Sequence, residues 1–241
     1  MSALPAGARP EREPIGRRAA RSIRHPLARA LLVLTFSTGL IDAVSYLGLG
    51  RVFTANMTGN VVLLGFGIAG SGGLPVVAPL VSLWAFLAGS AAGGVLAVRT
   101  GDRHARVVAR ALGLEIGLIL AAAILAAATD VRPSSFSGDA AIALLALAMG
   151  MRNATVRRFG VPDLSTTVLT MTLTGLAADS RLAGGSGEGS VRRIAAVLAM
   201  LSGAVAGALL LKISLVPPLL AAAALGLLVA LAYVPWARRE A

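Results

Sequence analysis

Six long apolar runs separated by short polar segments dominate the chain, at about 27–49, 74–98, 107–129, 138–152, 192–213 and 215–236. Most reach the ~20 residues that an α-helix needs to cross a bilayer, and the fourth falls short. Two further stretches, 54–70 and 164–180, are apolar enough to enter a membrane yet open on polar, Gly and Thr residues. The pattern therefore predicts an all-α membrane protein with about six transmembrane helices. Whether the two ambiguous stretches also cross decides its topology.

Composition supports the membrane reading. The chain has 241 residues, is 56% hydrophobic and holds 14% charged residues, well below the quarter usual in soluble domains; its mean hydropathy is +0.81. A net charge of +11 would suit nucleic acid, but the arginines lie in short segments between apolar runs and no basic patch with interleaved aromatics exists. The charge reads as topology, and no nucleic-acid partner is expected. With six spans and both termini in the cytoplasm, nineteen Lys/Arg fall inside and three (Arg51, Arg132, Lys212) outside. With eight spans the same count is thirteen against nine. Six spans fit the positive-inside rule, and 54–70 and 164–180 become re-entrant half-helices entering from opposite faces.

The expected organisation is a disordered basic cytoplasmic tail at 1–26, a first membrane repeat at 27–129, a second at 130–237 and a cytoplasmic end at 238–241. The repeat is read from spacing. Gly39, Asp42 and Ala43 return as Gly150, Asn153 and Ala154, each 111 residues later; Thr54 and Thr58 return as Thr166 and Thr170 at 112; Gly89 and Gly93 return as Gly203 and Gly207 at 114. Three spans per half is an odd number, so the second copy must be inserted upside down. Two inverted three-helix repeats, each with a short broken or re-entrant half-helix, are a design typical of transporters.

The motifs Gly39-Leu40-Ile41-Asp42-Ala43, Phe53 to Asn60 with its Asn-Met-Thr-Gly-Asn core, and Gly150-Met151-Arg152-Asn153-Ala154 followed by Thr166-Thr167 carry a resemblance. Over about 30–236 the sequence resembles the YoaK-like family of bacterial inner-membrane proteins, a family of unknown function. Members of that family carry Thr-Gly after the paired threonines, where this chain reads Thr170-Met171 and delays Thr174-Gly175. The resemblance implies a multi-pass protein of the bacterial inner membrane. It supplies no substrate and no catalytic residue.

The chemistry must then come from polar groups placed where they are costly. Eight extended residues from Gly50 to Met57 can descend about 25 Å, and a helix from Thr58 to Gly70 can climb back about 20 Å. Thr58 or Asn56 then caps a helix near mid-membrane, whose free N–H groups carry about half a positive charge. The second copy, with Pro162, Asp163 and Ser165 to Thr167 before a helix from Val168, repeats this from the other face. Two converging N-termini favour an anion or the acceptor atoms of a neutral polar solute. Asp42, Asn56, Thr58 and Asn60 from the first half, with Asn153, Thr166 and Thr170 from the second, form the expected solute-binding set, with Asp42 as the titratable coupling group. The same amides also serve as hydrogen bonds between helices, and Asp42 as a cap on the broken helix. Two functional readings follow: a small-solute or anion transporter, and a membrane scaffold or sensor without transport.

Other signals fail. Gly65, Gly67 and Gly70 form a GxGxxG outside any βαβ unit, and Gly184 to Ser190 lacks the Lys of a phosphate loop and reads as a linker. The chain contains no cysteine, and His25 and His104 lie in basic segments away from carboxylates. No catalytic site, metal site or cofactor site is expected, and no enzyme. Glu115, about two turns into its span, is expected to pair with a cytoplasmic-side arginine such as Arg110 and not to bind substrate. Trp236 at a span's end fits an interface anchor.

Overall fold

The computed structural model describes residues 22–101, 104–159 and 169–240. The expected tail therefore lies largely outside the described residues, as do Thr166 and the segment 160–168. Six long helices appear: α1 (Pro26–Gly48), α3 (Val77–Arg99), α4 (His104–Ala128), α5 (Phe136–Phe159), α7 (Ser190–Leu211) and α8 (Val216–Glu240). Two short ones, α2 (Met57–Ile68) and α6 (Leu169–Ala178), fall inside the two stretches read as half-helices. All six long helices have the length and hydropathy to span a bilayer.

Local chemistry sets the ends. α1 starts where Pro26, which has no N–H to satisfy, follows His25, whose Nδ1 accepts from the Leu27 N–H at 3.2 Å. It stops where Gly50 turns to φ +113° and Arg51 to φ +58°, with the Arg51 N–H on the Tyr46 carbonyl at 3.0 Å. Arg51 holds a left-handed conformation that usually belongs to glycine, at a cost of about 1–2 kcal/mol. At the other end of α1 the His25 ring meets Trp236 of α8, centroids 5.2 Å apart. Both described ends of the chain thus lie on the same side of the bundle.

The fourth span is the main departure from the sequence expectation. It runs to Phe159 and not to residue 152, because Arg152 is buried against a partner and does not end the helix in solvent.

Glycines fix the tightest packing. α1 lies on α7, and α3 lies on α5. A Cβ on Gly39 would collide with the Met200 carbonyl, and one on Gly203 with the Phe36 carbonyl. In the other pair, a Cβ on Gly89 would collide with the Leu147 carbonyl, and one on Gly150 with the Phe86 carbonyl. The backbones approach so closely that Ser90 Oγ reaches the Gly150 carbonyl at 3.2 Å. Such small-residue seams are how helices associate where no hydrophobic effect drives them. α4 packs on α8, while α5 also touches α4 and α1 touches α8. Large apolar side chains such as Val98, Ile124, Leu201 and Leu231 point outward, as a lipid-facing surface requires.

Candidate functional site

After α1 the chain turns back into the bundle, and buried side chains replace the helix ladder as its hydrogen-bond partners. Asp42 Oδ1 accepts the N–H groups of Thr54 and Ala55, at 3.2 and 3.1 Å. Asn60 binds Phe53 on both sides: its Oδ1 accepts the Phe53 N–H at 2.9 Å and its Nδ2 donates to the Phe53 carbonyl at 2.6 Å. Ser82 of α3 donates to that same carbonyl at 2.7 Å and accepts from Asn60 Nδ2 at 3.0 Å. Asp42 stands six residues before the last residue of α1, so Thr54 and Ala55 lie about 9 Å inside the end of that helix. That is shallower than the descent of about 25 Å that the extended chain allows, because these side chains arrest it.

Asn56 then caps α2, its Oδ1 accepting the Gly59 N–H at 3.2 Å. This N-terminus opens on a cleft of about 760 Å³, lined by Tyr46, Phe53, Asn56, Thr58 and Phe86 from the first half and by Leu169 and Thr170 from α6. Phe86 stands nine residues into α3, about 14 Å along it, so the cleft reaches the middle of that helix. Tyr46 and Phe53 stack at its edge with centroids 4.9 Å apart. Tyr46 also lines a second cavity of about 350 Å³, with Arg51, Leu74, Pro133 and Ser134.

A third arrangement was not anticipated. Arg152 of α5 is buried and makes an ion pair with both oxygens of Glu115 on α4, through Nε at 3.1 Å and through Nη2. Its remaining donors reach the Leu34 carbonyl and Thr38 Oγ1, each at 2.9 Å, and Ser37 Oγ at 3.3 Å. One guanidinium therefore ties α1, α4 and α5 together. Glu115 pairs with Arg152, and the expectation of Arg110 is corrected. The physical reason is geometric: Arg110 is exposed on its helix, while Arg152 faces the same interior as Glu115.

The expected solute set divides. Asn56, Thr58 and Thr170 line one cleft. Asp42 sits behind Ala55, which is part of the same wall. Asn60 is buried on Phe53 and Ser82, and Asn153 donates to the Met149 carbonyl of its own helix at 2.9 Å; neither lines the cleft. Thr166 lies outside the described residues. Sequence reasoning missed Ser82, the Tyr46–Phe53 stack and Arg152. The last had no local signal, since its partner Glu115 lies 37 residues away.

Among the described residues no group of His, Asp and Glu side chains could hold a metal through three such ligands. No solved structure matches the chain. The UPF0700 transmembrane protein YoaK of Bacillus subtilis (strain 168) is 33% identical over 150 residues, a stretch covering 62% of this chain and 65% of that relative, just under two thirds of its length. Residues 30–233 match the family described as protein of unknown function (DUF1275). With six helices long and apolar enough to cross a membrane among the described residues, and with that match over most of its length, the chain is a multi-pass membrane protein that belongs to the DUF1275 family.

Proposed function

We propose that the protein is a permease for a small polar or anionic solute, built from two inverted three-span repeats with both termini cytoplasmic in the bacterial cell membrane. The observation that carries this is the shared cleft: the first residues of both short helices, Asn56 to Gly59 and Leu169 to Thr170, line one space of about 760 Å³. The positive ends of two helix dipoles at one cleft suit acceptor atoms or negative charge.

The helix contacts support the repeat. Exchanging α1 with α5, α3 with α7 and α4 with α8 preserves the set of main packing pairs: α1–α7 becomes α5–α3, α4–α5 becomes α8–α1, and α4–α8 maps onto itself. The colliding glycines follow the same exchange, Gly39 with Gly150 and Gly89 with Gly203. Asp42 is the coupling group in this reading. The chain has no cysteine, so Thr58→Cys and Thr170→Cys, both at exposed cleft positions, test it directly with a membrane-impermeant thiol reagent. Labelling of both, blocked by a transported solute, is the expected result. Absence of labelling at both, in protein whose loop cysteines react, overturns the permease.

A scaffold without transport is favoured by one observation: the hydrogen-bonding groups of Asn60 are met by Phe53 and Ser82. Under that reading Asp42→Asn changes stability and no flux.

A further inference from the structure

Three charged side chains are buried deep in the spans: Asp42 on α1, Glu115 on α4 and Arg152 on α5. Arg152 is bound to both oxygens of Glu115, so the pair is neutral. It also bonds Thr38, one helical turn before Asp42. Among the described residues no cation pairs with Asp42, whose Oδ1 meets only the N–H groups of Thr54 and Ala55. A carboxylate taken out of water is stabilised by a cation or by a proton.

A second observation places the missing partner. Thr54 is wholly buried and its Oγ1 has no hydrogen-bond partner, an exception that calls for a ligand or a bound water. Its own N–H is bonded to Asp42 Oδ1 at 3.2 Å, so covalent geometry keeps the orphan hydroxyl within about 7 Å of the carboxylate. The same stretch is non-helical. The Phe53 carbonyl is occupied by Asn60 and Ser82, but the carbonyls of Val52, Thr54 and Ala55 accept no hydrogen bond among the described residues. A carboxylate, a hydroxyl and unwound backbone carbonyls are hard oxygen ligands, the set by which broken membrane segments hold sodium. No histidine or cysteine is needed, which is why the sequence suggested no metal.

We propose that Asp42 and the Thr54 hydroxyl, completed by the Val52 and Ala55 carbonyls, bind one sodium ion. Its role as the coupling ion rests on the permease reading; its binding does not. The site lies directly behind Ala55 in the wall of the cleft, so filling it would stiffen the residues that lead into the N-terminus of α2.

The test is thermal unfolding of the full-length protein in detergent, at fixed pH and ionic strength, with NaCl exchanged for KCl or choline chloride. Sodium at one hundred times its dissociation constant multiplies the folding constant about 100-fold, which raises Tm by about 5–10 °C. The rise should saturate, vanish in Asp42→Asn and Thr54→Val, and persist in Thr54→Ser, which keeps the hydroxyl. An equal rise in potassium or choline overturns the proposal, and so does a rise that survives in Thr54→Val. Stability that follows pH and ignores sodium also overturns it, and gives Asp42 a proton. The cysteine labelling of the cleft is independent of all these outcomes, so sodium binding and transport fail or stand separately.

Discussion

Replacing Glu115 with glutamine removes one charge and almost no volume. Arg152 then keeps its hydrogen bonds to Leu34, Thr38 and Ser37, but its positive charge remains buried with only neutral acceptors around it. Breaking a buried pair in this way costs about 3–5 kcal/mol, whereas an exposed pair contributes about 0–1. For a chain of this size each kcal/mol moves Tm by about 2–4 °C, so Glu115→Gln should lower it by about 6–20 °C. The double variant Glu115→Leu/Arg152→Met removes both charges. Thr38 retains its bond to the Leu34 carbonyl at 2.9 Å without Arg152, and of the α1 groups that Arg152 holds only the Ser37 hydroxyl, bonded at 3.3 Å, loses its partner. The double variant should recover most of the loss, giving a coupling of at least about 2 kcal/mol, well above the ~0.6 typical of a neutral interhelical hydrogen bond in a membrane. The assay is thermal unfolding of purified protein in detergent for wild type, both single variants and the double. A Tm change under about 3 °C for Glu115→Gln would refute the reasoning, because it would mean that water reaches the pair.

The glycine seams predict a sharp contrast on one face of the fold: Gly150→Ala should lose about 1–3 kcal/mol or more through collision with the Phe86 carbonyl, while Gly94→Ala, with open space around it, should gain up to about 1 kcal/mol from helix propensity. Relative Tm in detergent reads both. Asn60→Ala should cost more than Asn56→Ala, since the first leaves the Phe53 N–H unpaired in the interior and weakens the ties on its carbonyl, about 2–4 kcal/mol in all, and the second loses only a helix cap, about 1 kcal/mol. Asp42→Asn retains an oxygen for the Thr54 and Ala55 N–H groups, so reconstituted protein should stay folded with flux reduced at least tenfold; Asp42→Ala should lose both fold and flux, and an Asn variant with full flux would remove Asp42 from the mechanism.

Much of this architecture is written in the order of residues. The six spans follow from apolar length, and the small residues that seat α1 on α7 and α3 on α5 are the same Gly39, Gly150, Gly89 and Gly203 whose spacing suggested a repeat. What spacing could not give is that each half uses its glycines against the other half, since one offset suits packing within repeats as well as between them. Arg152 was misread for a related reason. Counting arginines as markers of the cytoplasmic side assumes that each is in water, and nothing local contradicts this when the compensating Glu115 lies 37 residues away.

Asp42 and Asn60 were legible as anomalies and illegible as partners, because what they bind is backbone. Together they explain how an irregular stretch survives inside a membrane. Bare N–H and C=O groups there cost several kcal/mol each, and Asp42, Asn60 and Ser82 meet the N–H groups of Phe53 to Ala55 and the Phe53 carbonyl from the protein side. This leaves Asn56 and Thr58, the next polar residues along, free of that duty and placed on the cleft. The motif thus separates into residues that hold the descending backbone and residues that face the cleft, and the order of the two along the chain is set by where the helix must begin.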